Sequence, residues 1–334
     1  MDEFYGQTLK GSMVELSNKT PFAAHYLLLP DTRGVDTLFV NVAARFHIGA
    51  QWVLCETPAE LLTEDCYWGE PGQSSLRQPL DTHTGKLATD IAIAGNAWAP
   101  GAKPVGRIDV SARVGNRQKT VSVFGDRVWD NRRISAPEPF TTKPLRYEGA
   151  YGGPGYPANP VGTGYFDDDT DEAVNGSPLP AIECARDLIQ NPKDRPAPAG
   201  FGFIAPHWYP RADFAGTYDQ QWQETRAPYV PLDFNRRFLN AAHPDWIYDG
   251  FLQGGEPVEL INAHPEGPLR FELPTVKLAA RAQFQREVVR ELAFNLETAV
   301  IDTDDLTLHL CWKASTPCSN AFSRLRNLTV TLRR

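Results

Sequence analysis

The sequence predicts a mainly β protein: antiparallel, sandwich-like sheets, a long proline- and glycine-rich irregular middle segment, and few short helices. Two observations carry that expectation. Near both ends of the chain apolar and polar residues alternate, the period of a strand with one face on a core. Between those ends, residues 130–250 hold 16 of the 28 prolines. Proline fixes φ and lacks the amide proton that a dense sheet or a long helix needs.

Taken in order, residues 1–20 read as a leader segment. It opens Met1-Asp2-Glu3-Phe4-Tyr5, with acids where a secretory signal carries basic residues ahead of an apolar run, so a cytoplasmic protein is expected. Residues 21–130 form an N-terminal β region. There Leu38, Val40, Val42, Ala44, Phe46 and Ile48 share one parity, against Asn41, Arg45 and His47 on the other. Ile108, Val110, Ala112 and Val114 repeat the pattern, Gly115-Asn116 marks a turn, and Val121 and Val123 begin the return strand. Ile91 and Ile93 mark a further strand. Alternation of this kind predicts half-buried antiparallel strands with a wet face.

Residues 131–250 read as a connecting region packed on the sheets, with short helices near Gln220–Glu224 and Asp233–Asn240. Residues 251–334 return to strands. Leu306, Leu308, Leu310 and Trp312 alternate with Thr307, His309 and Lys313, and Leu328, Val330 and Leu332 alternate with Thr329 and Thr331. Phe284, Val288, Leu292 and Leu296 have helical spacing, but Leu292, Phe294 and Leu296 also alternate, and strands are expected here.

Composition narrows the function. Of 334 residues, 42% are apolar and 22% charged, which excludes a wholly disordered chain. A formal charge of −8 argues against a nucleic-acid partner, because such a surface must neutralise many phosphates. No apolar run approaches the roughly 20 residues of a membrane helix. The cysteines Cys55, Cys66, Cys184, Cys311 and Cys318 are scattered, with no C-x-x-C pair. They read as reduced side chains and not as zinc ligands, so no metal and no cofactor is expected.

Catalytic signatures are sparse. Asp167-Asp168-Asp169-Thr170-Asp171-Glu172 starts like a calcium loop, but Glu172 stands at the glycine position and Pro178 at the final acid. His243-Pro244-Asp245 and His264-Pro265-Glu266 echo each other. With His207 they would make a metal-dependent hydrolase, whereas repeated turn chemistry explains the echo without a ligand. No G-x-S-x-G, H-E-x-x-H or phosphate loop occurs. The expectation is a non-enzyme. A carbohydrate-binding β module is a further alternative, with tryptophan and tyrosine stacking on sugar rings.

The middle and end carry an ordered series of glycine- and aromatic-punctuated motifs. Phe124-Gly125-Asp126-Arg127-Val128-Trp129 precedes Tyr147-Glu148-Gly149-Ala150-Tyr151-Gly152-Gly153 and Asn159-Pro160-Val161-Gly162-Thr163-Gly164-Tyr165. Then come Gly200-Phe201-Gly202, Ala215-Gly216-Thr217-Tyr218-Asp219 with Trp222, and Asp233-Phe234-Asn235-Arg236-Arg237-Phe238-Leu239-Asn240. The series resembles a bacterial family long catalogued as a domain of unknown function and found beside type VI secretion genes. The resemblance runs from about Pro21 to Trp312, with His243 and Trp246 departing from the family pattern. It implies a non-catalytic adaptor or chaperone that helps load a toxic effector onto the VgrG–PAAR spike, with no catalytic residues to carry over. Gly125, Asp126, Arg127, Gly152, Gly153, Asn159, Gly162, Gly164, Gly200, Gly202 and Asn240 are then structural, with glycine beside aromatic marking close backbone packing. Tyr165, Phe201, Trp208, Tyr218 and Trp222 serve either as core or as partner contacts, within a binding region of roughly Pro144 to Pro244.

Overall fold

A computed structural model describes residues 14–167, 170–285, 288–318 and 324–333. The protein is mainly β, built from several mostly antiparallel sheets with two short helices, Asp171–Val174 and Gln220–Thr225. The largest sheet runs in the order Ala23–Pro30, Asp36–His47, Thr307–Pro317, Asn295–Asp302, Asp90–Ala94. Its first four strands are antiparallel, and Asp90–Ala94 joins Asn295–Asp302 in parallel. A five-stranded sheet orders Ile182–Cys184, Arg117–Phe124, Arg107–Val114, Pro257–Ile261 and Leu269–Glu272, all antiparallel. A third sheet holds Glu15–Asn18, Leu325–Leu332, Leu278–Phe284 and Val289–Ala293.

The two ends of the chain therefore share sheets. Leu38, Val40, Val42 and Ala44 face Thr316, Ala314, Trp312 and Leu310 across one ladder, and Val258 pairs with Val114 in another. Glu15–Asn18, inside the expected leader, is a strand parallel to Leu325–Leu332. Where helical spacing competed with alternation, Leu278–Phe284, Val289–Ala293 and Asn295–Asp302 are strands, with Phe284, Leu292 and Leu296 all on the core. The apolar faces of the three sheets meet in one continuous core.

Two expectations fail. The strand at Ile91 and Ile93, expected to be antiparallel and half-buried, pairs in parallel and is almost wholly buried. The polar parity of Asp36–His47 and Thr307–Pro317 is not wet: Asn41, His309 and Lys313 are all buried. Chain from Ala59 to Asp90, with little regular structure, covers that face. A buried ammonium needs partners, and they are supplied. Lys313 Nζ donates to the carbonyls of Asp81 and His83 at 2.8 and 2.7 Å. Lys86 Nζ meets Asp90 Oδ2 at 2.7 Å and Thr298 Oγ1 at 2.8 Å, while its amide donates to Glu297 Oε1 at 3.0 Å. Burial pushes Glu297 up and His83 well down, with Lys313 and Lys86 adding to the fall at His83. Asn240 ties this layer to the middle region, because its Nδ2 donates to Asp90 Oδ1 at 2.9 Å and to the Ala88 carbonyl at 2.8 Å.

Candidate partner-binding surface

The irregular middle divides into a packed part and a projecting part. The packed part winds around Asn159, which is fully buried. Its Nδ2 donates to the Tyr147 carbonyl at 2.8 Å and to that of Tyr151 at 3.1 Å. Its own carbonyl accepts from Gly153 and Gly162 at 2.9 and 3.2 Å. The chain crosses itself so closely that a Cβ on Gly152 would stand 2.1 Å from the Asn159 carbonyl oxygen, and one on Gly162 would stand 2.3 Å from Nδ2. A Cβ on Gly200 would meet the Tyr147 ring at 2.9 Å, and one on Gly125 would overlap the Glu138 carbonyl. Close approach holds at Gly125, Gly152, Gly162 and Gly200, whereas a Cβ on Gly153 or Gly202 would meet only ordinary contacts at 3.4 and 3.5 Å.

The paired residues Asp126 and Arg127 separate. Asp126 bonds the Lys143 ammonium on the surface. Arg127 is buried against Glu183, donates to the Pro180 carbonyl at 2.7 Å, and lies 3.6 Å from the centre of the Phe124 ring. The two His-Pro segments repeat one turn. His243 Nδ1 accepts from the Asp245 amide at 3.2 Å, and His264 Nδ1 accepts from the Glu266 amide at 3.3 Å. His207 Nε2 accepts from Trp208 Nε1 at 3.0 Å. Among the described residues no three His, Cys, Asp or Glu side chains gather as a metal-binding group. Beneath Asp245, Lys119 Nζ stands 3.3 Å away, and burial pushes that ammonium down to about 8. The acidic run lies partly outside the described residues; Asp171 and Glu172 open a short helix capped by Thr170.

Of the five aromatic candidates, the structure withdraws two from the surface. Phe201 packs on Trp246 with ring centres 5.8 Å apart, and Trp208 meets Tyr147 edge-on at 5.9 Å. Both are about 1% exposed and belong to the core. Their rings are large enough that flanking chain closes over them. Tyr165 is half-buried beside Tyr156 at 5.1 Å, on a small second core of Trp129, Tyr151, Val174, Leu179 and Ile189. Tyr218 and Trp222 come together edge-on at 4.8 Å.

That pair sits on an excursion, residues 216–235, whose two ends are tied. Asp233 Oδ1 accepts from the Thr217 amide at 3.0 Å, and Oδ2 accepts from its hydroxyl at 2.8 Å. The Asn235 amide donates to the Phe214 carbonyl at 3.0 Å. Gly216 has φ +81°, and a Cβ there would stand 2.9 Å from Asp233, so glycine suits the neck on both counts. Such a loop with closed ends is a compact surface unit held by its own side chains. Asp219 caps the helix Gln220–Thr225 by accepting the Trp222 amide at 2.8 Å, and Trp222 Nε1 donates to the Tyr229 carbonyl at 2.8 Å. No residue of that helix is buried. Tyr218 is 54% exposed, Tyr229 39% and Leu232 88%, so three of the ten exposed large apolar side chains of the described residues fall on this one loop. Sequence reading found Tyr218 and Trp222 but missed Tyr229, Leu232 and the clamp at Asp233. Pro231-Leu232-Asp233, an apolar residue between two turn formers, was the available signal.

Tyr218 and Leu232 flank the Thr217–Asp233 clamp at the neck, and exposed apolar side chains on a braced loop can dock a protein. No helix among the described residues is long and apolar enough to cross a membrane. No curated protein and no solved structure matches the chain. Residues 33–313 match a family described as an uncharacterized protein conserved in bacteria (DUF2169). That span takes in the strand Asp36–His47, most of its partner Thr307–Pro317, the knot around Asn159 and the whole excursion, and the chain belongs to this bacterial family.

Proposed function

We propose that the protein is a non-catalytic adaptor or chaperone that acts in the cytoplasm and helps load a toxic effector onto the VgrG–PAAR spike of a type VI secretion system. The setting comes from the motif resemblance. The observation that carries the binding role is the 216–235 excursion, with Tyr218, Tyr229 and Leu232 presented together on a clamped loop. A preorganised loop loses little conformational entropy on docking, and clustered apolar side chains ringed by polar groups are the usual anchors of an interface.

The test is co-expression of the chain with the effector and spike proteins encoded beside it. The wild type should raise effector solubility and co-purify with effector or spike. Tyr218→Ala with Leu232→Ala should weaken that capture while circular dichroism and melting stay unchanged. Full capture by the folded double variant removes the excursion as the docking face. Absence of any complex with every protein of the locus removes the adaptor reading.

A further inference from the structure

The excursion leans on the turn between Ala23–Pro30 and Asp36–His47. Arg226 reaches the Thr32 carbonyl at 3.3 Å, and the Tyr229 ring lies 3.6 Å from where a Cβ on Gly34 would stand. Between that turn and the base of the excursion opens a cleft of about 450 Å³. Arg33, Arg236 and the carboxylate Asp31 stand among its walls, with Thr84 and Ser315, and the buried Thr37 and Phe39 also line it.

We propose that this cleft binds a carboxylate side chain of a polypeptide partner, a reading that rests on the docking role of the excursion for the source of the carboxylate. Charge is the first argument. Arg236 donates to the Gly85 carbonyl at 2.8 Å, and no carboxylate of the described residues lies within ion-pair distance of it. Arg33 pairs with Asp31 at 3.2 Å inside its own turn and is 78% exposed along its side chain. Asp31 also accepts the amides of Arg33 and Val35, both at 2.9 Å, so its carboxylate is already bound on several sides. Arg33 and Arg236 both line the cleft, in a chain whose net charge is −8, and the carboxylate beside them, Asp31, is engaged by Arg33 and by its own turn.

Donor geometry is the second argument. A guanidinium presents a planar fork that matches a carboxylate, and the hydroxyls of Thr84 and Ser315 add donors without adding charge. Free phosphate is favoured by converging backbone amides at a helix N-terminus or nest; no α-helix of the described residues lines this cleft, and Arg236 opens only the single 3-10 turn Arg236–Leu239. Continuity is the third argument. The half-exposed Tyr229 ring stands against the turn that carries Arg33, which fits a segment in which an acid neighbours a large apolar residue.

The full chain is titrated by calorimetry at low salt with the blocked peptide acetyl-Tyr-Asp-Glu-Leu-amide, its Asn-Gln counterpart, and inorganic phosphate. The acidic peptide should bind about tenfold tighter than the neutral one, the scale of a charge-assisted hydrogen bond. Arg33→Glu and Arg236→Gln should each abolish that preference. Arg33 is exposed, so its variant keeps the fold and guards against a trivial loss at Arg236. Equal binding of both peptides, a preference that survives both variants, or binding of phosphate alone overturns the proposal. The probe is synthetic, so failure of the secretion reading would leave an acidic preference standing. Loss of that preference would likewise leave aromatic docking by the excursion standing.

Discussion

The knot around Asn159 and the excursion at 216–235 are built from the same kinds of residue and do opposite things with them. Both hold tyrosines and turn formers, and both lie within the proline-rich middle. In the knot, backbone carbonyls converge on one amide side chain, and Tyr147 and Tyr151 are buried. In the excursion, the carboxylate of Asp233 closes the neck from outside, and Tyr218, Tyr229 and Leu232 face solvent. Composition does not decide which aromatic packs and which presents. What decides is whether sheet-borne chain is available to cover it: Tyr147 lies against Gly200, Asn159 and Trp208, whereas the helix Gln220–Thr225 buries nothing.

The contrast is sharpest at the buried rings. Trp208→Ala should cost about 3–5 kcal/mol through the cavity it leaves, read as a large fall in the urea midpoint. Asn159→Ala, which strands buried carbonyls of Tyr147 and Tyr151, should cost about 1–3 kcal/mol by the same measurement. A midpoint unchanged by either variant would break the claim that this part of the middle is core.

Acid should separate the two regions next. Burial pushes His83, His243 and His309 below the ordinary imidazole range, with Lys313 and Lys86 adding at His83 and Lys119 at His243. The fold holds them neutral while the unfolded chain takes up protons below about pH 6.5. The unfolded state then binds more protons, so stability should fall as pH drops from about 6.5. Glu297, pushed up by burial, works against this as one carboxyl against three imidazoles. At the excursion neck, hydrogen bonds from Thr217 hold Asp233 below its ordinary value of 3.8. Its contribution is present above that value and is lost only as pH falls through the lowered one, so the neck should outlast the onset of global loss. Melting from pH 8 to pH 4, with limited proteolysis at each step, measures both.

Smaller effects belong to the excursion. Tyr218→Ala with Leu232→Ala should move global stability by no more than about 0.5 kcal/mol per site, because exposed side chains leave no cavity. Asp233→Ala should leave the melting curve in place and speed proteolytic nicking within residues 216–235. A large loss of stability from either would mean that the loop is part of the core, and the comparison would fail.

Alternation in the sequence was enough to place the strands Asp36–His47, Arg107–Val114 and Thr307–Pro317, because a period of two residues is that of a strand and not of a helix. The glycines around Asn159 were legible for a similar local reason: a backbone crossing forbids a Cβ wherever it occurs. The repeated turns at His243 and His264 followed from their own three residues. The wet face assigned to Asn41, His309 and Lys313 was wrong, since chain from Ala59 to Asp90 covers it and nothing local announces that cover. Trp208 and Tyr218 carry the same signal in sequence, a large ring among turn formers, and only the tertiary structure sends one to the core and the other to solvent. The cleft between Arg33 and Arg236 is likewise a product of folding, because about two hundred residues separate the guanidinium groups that frame it. Local covalent preference fixed the strands and turns of this protein; burial, charge pairing and the presented surface depend on which distant segment comes to lie alongside.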